Sequence, residues 1–195
     1  MKGTRFGGAL LAVCVACALA VSETARGSED AAREAVSLFR AGRIDEARAL
    51  LEARIEAAPD DVEARLAYVE MRTALGEREA VRREYDALAL KDPSNPAVRL
   101  AQIVVLGRSQ AKHDAFAEYL GENPDFARGW EEYGRSLLEG YQVQAAAEAL
   151  ARAIALEPGR ARAHLYLGLA HRGKGRFDDE EAAIREAYRL DPGSE

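Results

Sequence analysis

Five prolines, Pro59, Pro93, Pro124, Pro158 and Pro192, stand 34, 31, 34 and 34 residues apart, and only Pro96 falls outside the series. A period of this length constrains the fold more than any other feature of the chain. Each unit is too small to bury its own apolar face, so successive units must stack on one another. Composition says what the units are made of. From residue 29 onward Ala, Arg, Glu and Leu dominate, all good helix formers. Runs of strand-favouring Val, Ile, Thr and Tyr are nearly absent. With 48% apolar and 31% charged residues, the chain has an ordinary globular balance.

The clearest unit, residues 127–160, contains Trp130-x-x-Tyr133-Gly134-x-x-Leu137, then Ala146-x-x-x-Leu150-x-x-Ala153, then Pro158. The next unit keeps the register with His164, Leu167, Gly168, His171, Ile184, Ala187 and Pro192, with Glu180 where Ala is expected. Tyr68, Gly76, Val81, Tyr85, Leu88 and Pro93 hold matching places in residues 62–95, as do Ala35, Leu38, Gly42, Ala47, Leu51 and Pro59 in residues 28–61. This pattern resembles the tetratricopeptide repeat (TPR), strongly in the last two units and more weakly in the first two. The resemblance implies an all-α fold, a right-handed α-solenoid of about five helix-turn-helix units: 28–61, 62–95, 96–126, 127–160 and 161–194.

Elementary chemistry supports that reading. Small residues such as Ala35, Ala101, Gly134 and Gly168 let paired helices approach, and Trp130, Tyr133, Leu150 and Ile184 fill the space between them. Gly42, Gly76 and Gly175 fall at the turns, where a positive φ is expected. The prolines stop each second helix, and Asp60, Asp61, Ser94, Asn95 and Asp125 are in place to cap the next. The third unit is three residues short. Because residues 98–104 align with 64–70, the loss falls near Gly107 and predicts a first helix clipped by about one turn.

The N-terminus reads differently. Lys2 and Arg5 precede an uncharged apolar run, residues 7–21, followed by an abruptly polar stretch. Ala18-Leu19-Ala20 forms an A-x-A site, the layout of a cleaved secretory signal over residues 1–20, with 21–27 as a short polar linker. The 15-residue run is short for a membrane span. Cys14 and Cys17 fall inside this leader as small apolar residues. Val15-Ala16-Cys17 also fits in part a bacterial lipoprotein signal, so lipidation at Cys17 is a second reading. Removal of the leader takes away both cysteines and leaves 25 basic against 33 acidic residues, a net charge of −8. Such a chain is a poor partner for nucleic acid. The expected location is the bacterial cell envelope, in the periplasm or lipid-anchored.

No cofactor, metal or catalytic site is expected. His164 and His171 share a helix face but occupy the repeat's packing places, and zinc would need further ligands. Asp178, Asp179, Glu180 and Glu181 open a helix, where acidic groups suit the dipole. Motifs such as G-x-S-x-G, H-E-x-x-H or a phosphate-binding glycine loop do not occur. The TPR resemblance instead implies non-catalytic binding of a protein or peptide in a concave groove lined by first helices. The 3-4-3 stripes of those helices give the expected contacts: Glu63, Leu66, Glu70, Leu100, Val104, Glu131, Arg135, Leu165, Leu169 and Arg172. This floor is apolar in the middle, acidic toward the N-terminus and basic toward the C-terminus. Trp130 is expected in the core. Two other roles stay open: a homo-oligomer built through an apolar end near Ile184 and Tyr188, and a non-catalytic subunit of an envelope enzyme or transport complex.

Overall fold

The computed structural model describes residues 27, 28 and 30–193. The expected leader and most of the linker lie outside the described residues, as does Glu29. The described residues form helices and turns only. The chain divides into two compact units, Met1–Ala101 and Gln102–Glu195.

The first unit holds α1 (residues 30–40), α2 (Ile44–Ala57), α3 (Val62–Ala74), α4 (Arg78–Lys91) and the start of α5 (Pro96–Val105). The second holds the rest of α5, then α6 (Gln110–Glu122), α7 (Ala127–Glu139), α8 (Val143–Leu156), α9 (Ala161–Gly173) and α10 (Phe177–Leu190). The expected helix-turn-helix arrangement is present throughout. α5 has 10 residues where α3, α7 and α9 have 13, the clipped helix that the short third repeat predicts. Within the second unit the buried Lys112 donates its Nζ to the Val104 carbonyl at 3.1 Å, satisfying a backbone group near the helix end.

Three of the turns within repeats carry a left-handed glycine, while the α5–α6 turn around Gly107 has no residue at positive φ. Gly42, Gly76 and Gly175 have φ of 76°, 83° and 71°. The equivalent turn between α7 and α8 holds Tyr141, at φ 59° with its side chain exposed. A Cβ in this left-handed region costs about 1 kcal/mol or more. Tyr141→Gly relieves it and loses little packing, so a urea melt should show a gain of about 0.5–1 kcal/mol, offset in part by the glycine's unfolded-state entropy.

Caps follow the sequence only in part. Asp61 Oδ1 accepts from Ala64 N at 3.0 Å, and Asn95 Oδ1 accepts from the Ala97 and Val98 N–H groups. Asp125 does not cap α7, whose preceding residue is Phe126; it pairs with Arg152 at 3.1 Å instead. Ser109 caps α6, a cap the repeat pattern does not signal.

A further regularity links helices to the proline turns. Arg65 Nε, Trp130 Nε1 and His164 Nε2 each lie within hydrogen-bond distance of the proline carbonyl six residues earlier, at 2.7, 2.9 and 3.0 Å. These three residues hold one register place. The shared requirement there is an N–H donor, which explains why Arg, Trp and His alternate. Trp130 accordingly sits at the margin of the core, partly buried against it.

Each unit has its own interior. In the first, Leu51, Leu66, Val69, Val81 and Tyr85 are almost fully enclosed. Burial pushes the Tyr85 hydroxyl up to about 12, against the opposing pull of Arg65. In the second, Leu137, Ala146, Leu150, Ala153 and Ala163 form a continuous cluster. Gly134 makes this packing possible: a Cβ there would lie 2.5 Å from Leu150 Cγ. Gly168 does the same beneath Ile184, at 2.9 Å.

Candidate functional site

The expected groove residues do not share one environment. In the first unit Leu66 and Leu100 are buried, while Glu63 and Glu70 are half-buried. In the second unit Val104 and Glu131 are buried, Arg135 is half-buried, and Leu165, Leu169 and Arg172 are exposed. The reason is which face of each helix its neighbours cover, since α9 packs on α7, α8 and α10 and still leaves Leu165 and Leu169 open. α3 packs on both α2 and α4, and α7 packs on α6, α8 and α9. Stripes assigned from one helix alone ignore that enclosure. Leu66, Leu100, Val104 and Glu131 therefore offer no surface to a partner in this structure.

Glu131 belongs to a buried ionic cluster that ties α7 to α9. Its carboxylate pairs with Arg128 within α7, with Arg160 at 2.8 Å and with Arg162 at 3.5 Å. Its neighbour Glu132 pairs with Arg128 at 3.0 Å, Arg135 at 2.6 Å and Arg162 at 3.6 Å. Side chains of Arg128, Glu131 and Glu132 are almost wholly enclosed. Burial alone would raise both carboxyls. The surrounding guanidinium groups outweigh it: Arg128, Arg160 and Arg162 hold Glu131 below the ordinary range, and Arg135, Arg128 and Arg162 do so for Glu132. Sequence reasoning missed Glu132 and Arg160. The spacing of Arg128, Glu131, Glu132 and Arg135, three and four residues apart, was the available signal.

An open surface remains in each unit. In the first, Val36 and Phe39 of α1, Leu51 of α2, and Glu70, Met71 and Ala74 of α3 line an open, mainly apolar hollow of about 210 Å³. In the second, α9 presents Arg162, Leu165, Leu169 and Arg172 along one helical face. Leu165 is 36% and Leu169 38% exposed. Arg172 donates its Nε to Glu180 at 2.6 Å and stays largely exposed. Arg162 lies 5.9 Å from the centre of the Tyr166 ring. The face is an apolar pair flanked by two cations. Among the described residues, no group of three His, Cys, Asp or Glu is placed to hold a metal ion, and no helix is long and apolar enough to cross a membrane. His171 Nδ1 is buried without a hydrogen-bond partner.

Comparison with known families decides what these repeats are. Tetratricopeptide-repeat models match residues 38–103 and 134–195, together well over half of the chain. The chain belongs to the tetratricopeptide-repeat family. Among solved structures, this TPR chain is similar to TTC0263, a thermophilic TPR protein of Thermus thermophilus, at 20% identity with a TM-score of 0.63, covering 86% of this chain and 93% of that one. It is also similar to MamA of Desulfovibrio magneticus RS-1, at 16% identity and 0.54, covering 88% and 97%. A third likeness is to YrrB, described as a TPR protein with an unusual peptide-binding site, at 13% identity and 0.53, covering 84% and 86%. At these identities the likeness shows a shared fold. No match to a curated protein sequence was found.

Proposed function

We propose that this TPR protein is an exported, non-catalytic scaffold that binds an acidic, apolar segment of a partner protein on the α9 face. The observation that carries the reading is the exposed Leu165–Leu169 pair set between Arg162 and Arg172. Two leucines one helical turn apart take the apolar side of a peptide or helix. The flanking guanidinium groups are each paired with carboxylates of this chain, Arg162 with Glu131 and Glu132 and Arg172 with Glu180, and their exposed parts add a carboxylate contact at its edges that sets orientation and on-rate. YrrB, with the same fold, has a peptide-binding site. In the first unit, the hollow beside Glu70 suits an apolar side chain of a segment that also carries a basic residue. Export is read from the Lys2/Arg5, apolar, Ala18-Leu19-Ala20 layout, and the destination in this reading is the periplasm, or a membrane reached through a lipid on Cys17.

Two measurements test this. Mass spectrometry of the native protein should find a new N-terminus near residue 21; a retained Met1 would remove the export proposal. Capture from the envelope fraction, followed by interferometry on the purified partner, tests the face. The double variant Leu165→Asp/Leu169→Asp should weaken binding at least tenfold, and rising salt should weaken the native complex. Leu90→Asp, at an 86% exposed position on α4, is the control and should bind normally. Equal binding by both variants would show that the partner docks elsewhere.

A further inference from the structure

The outer side of α10 carries apolar groups at places that are covered on α8, one repeat earlier. On α8, Val143 abuts Gly173 of α9, and Ile154 packs against the core cluster that includes Ala163 of α9. Phe177 and Tyr188 stand 34 residues further on, at the same register places of α10. They are 67% and 61% exposed. Between them lie Glu181 and Arg185, also exposed and paired along the helix. At 100° per residue, Phe177, Glu181, Arg185 and Tyr188 fall on one exposed side of α10, with Ile184 at its margin turned toward Gly168 of α9.

We propose that this side of α10 binds the same side of α10 in a second copy of this protein, the two helices running antiparallel about a two-fold axis near residue 183. Residue numbers that face each other then add to about 365 or 366, a spread of one residue or roughly 1.5 Å along the helix. That places Phe177 beside Tyr188 of the partner subunit and Glu181 opposite Arg185 of the partner subunit, and the symmetry repeats both contacts. Charge selects this arrangement over the others. A parallel pair would set Glu181 against the partner's Glu181 and Arg185 against the partner's Arg185. Head-to-tail packing would bring α1 onto α10, and α1 carries Asp30 and Arg40 where α9 offers Ala163 and Gly173 to α8. Desolvating those charges opposes the contact. Giving up the exposed Glu181–Arg185 pair within one helix costs little. The helix is 14 residues, roughly 21 Å, so one helix pair buries less than a permanent dimer does and the association is weak and concentration-dependent.

Sedimentation equilibrium of the purified protein from about 1 μM to 1 mM, concentrations that bracket a weak dimer, tests the proposal. The native protein should pass from monomer to dimer and no further. Tyr188→Glu should weaken dimerisation at least tenfold with an unchanged melting temperature in the dilute monomer. Glu181→Arg alone and Arg185→Glu alone should each be monomeric, because like charges then face across the axis. An equimolar mixture of those two variants should form a heterodimer, which a merely intrahelical role of the pair would not produce. A native protein that stays monomeric to 1 mM, single variants that dimerise as well as the native protein, or a mixture that stays monomeric, would each overturn it.

Discussion

Arg128→Met should destabilise the protein by about 3–5 kcal/mol at pH 7, the usual cost of removing one partner from a buried ion pair. Arg128 stands between Glu131 and Glu132, and all three side chains are shielded from water. Methionine fills similar space but leaves two adjacent carboxylates with less positive charge to face. Arg135, Arg160 and Arg162 compensate only in part, because Arg162 sits at 3.5–3.6 Å and the other two each reach only one of the buried pair while also pairing with Glu139 or Glu157. The pH dependence separates this cause from a packing defect. In the native protein both carboxyls are held below the ordinary glutamate value of 4.5, Glu132 to about 2. The unfolded chain therefore takes up protons first on acidification. The stabilisation is complete above the unfolded value and is lost as pH falls from 4.5 toward about 2. In Arg128→Met the depression is smaller, so burial weighs more and the carboxyls protonate more readily while folded. The stability difference between the two proteins should be largest at pH 7 and should narrow steadily on acidification below pH 4.5. A difference independent of pH would mean that the loss is one of packing alone. Urea melts at a series of pH values supply both curves.

Leu150→Ala should cost about 2–5 kcal/mol, the range for emptying an enclosed leucine site. Leu150 is 0% exposed and fills the space that Gly134 leaves between α7 and α8. The same contact predicts strong non-additivity. In the native background Gly134→Ala drives a Cβ into Leu150 Cγ and should cost about 1–3 kcal/mol, since that atom is the branch point of an immobile side chain. In the Leu150→Ala background the added methyl enters the vacated space, and the substitution should be close to neutral or stabilising. A Gly134→Ala cost that is equal in both backgrounds would show that the two residues do not meet as described. Equilibrium urea unfolding of the four proteins completes the cycle, with the slopes checked for a constant unfolded state.

Features that one repeat decides internally are legible in the residues alone. The proline period gave the helix pairs, Gly42, Gly76 and Gly175 gave the left-handed turns, and the three-residue deficit gave the short α5. Each is a matter of backbone conformation or chain length, readable without knowing a neighbour. Gly134 and Gly168 were legible for the same reason, because the close approach is between the two helices of one unit. Tertiary structure decided the rest. The 3-4-3 stripe of α7 carries Arg128, Glu131 and Arg135 on one face, but α9 covers that face and turns two of the three into an enclosed cluster completed by Arg160. The identical spacing on α9 leaves Leu165 and Leu169 open. Exposure depends on which helix packs next to a stripe, and side-chain periodicity along one helix carries no record of that. The place shared by Arg65, Trp130 and His164 shows the same division: sequence suggested an aromatic packing position, and only the fold revealed three N–H groups meeting three proline carbonyls.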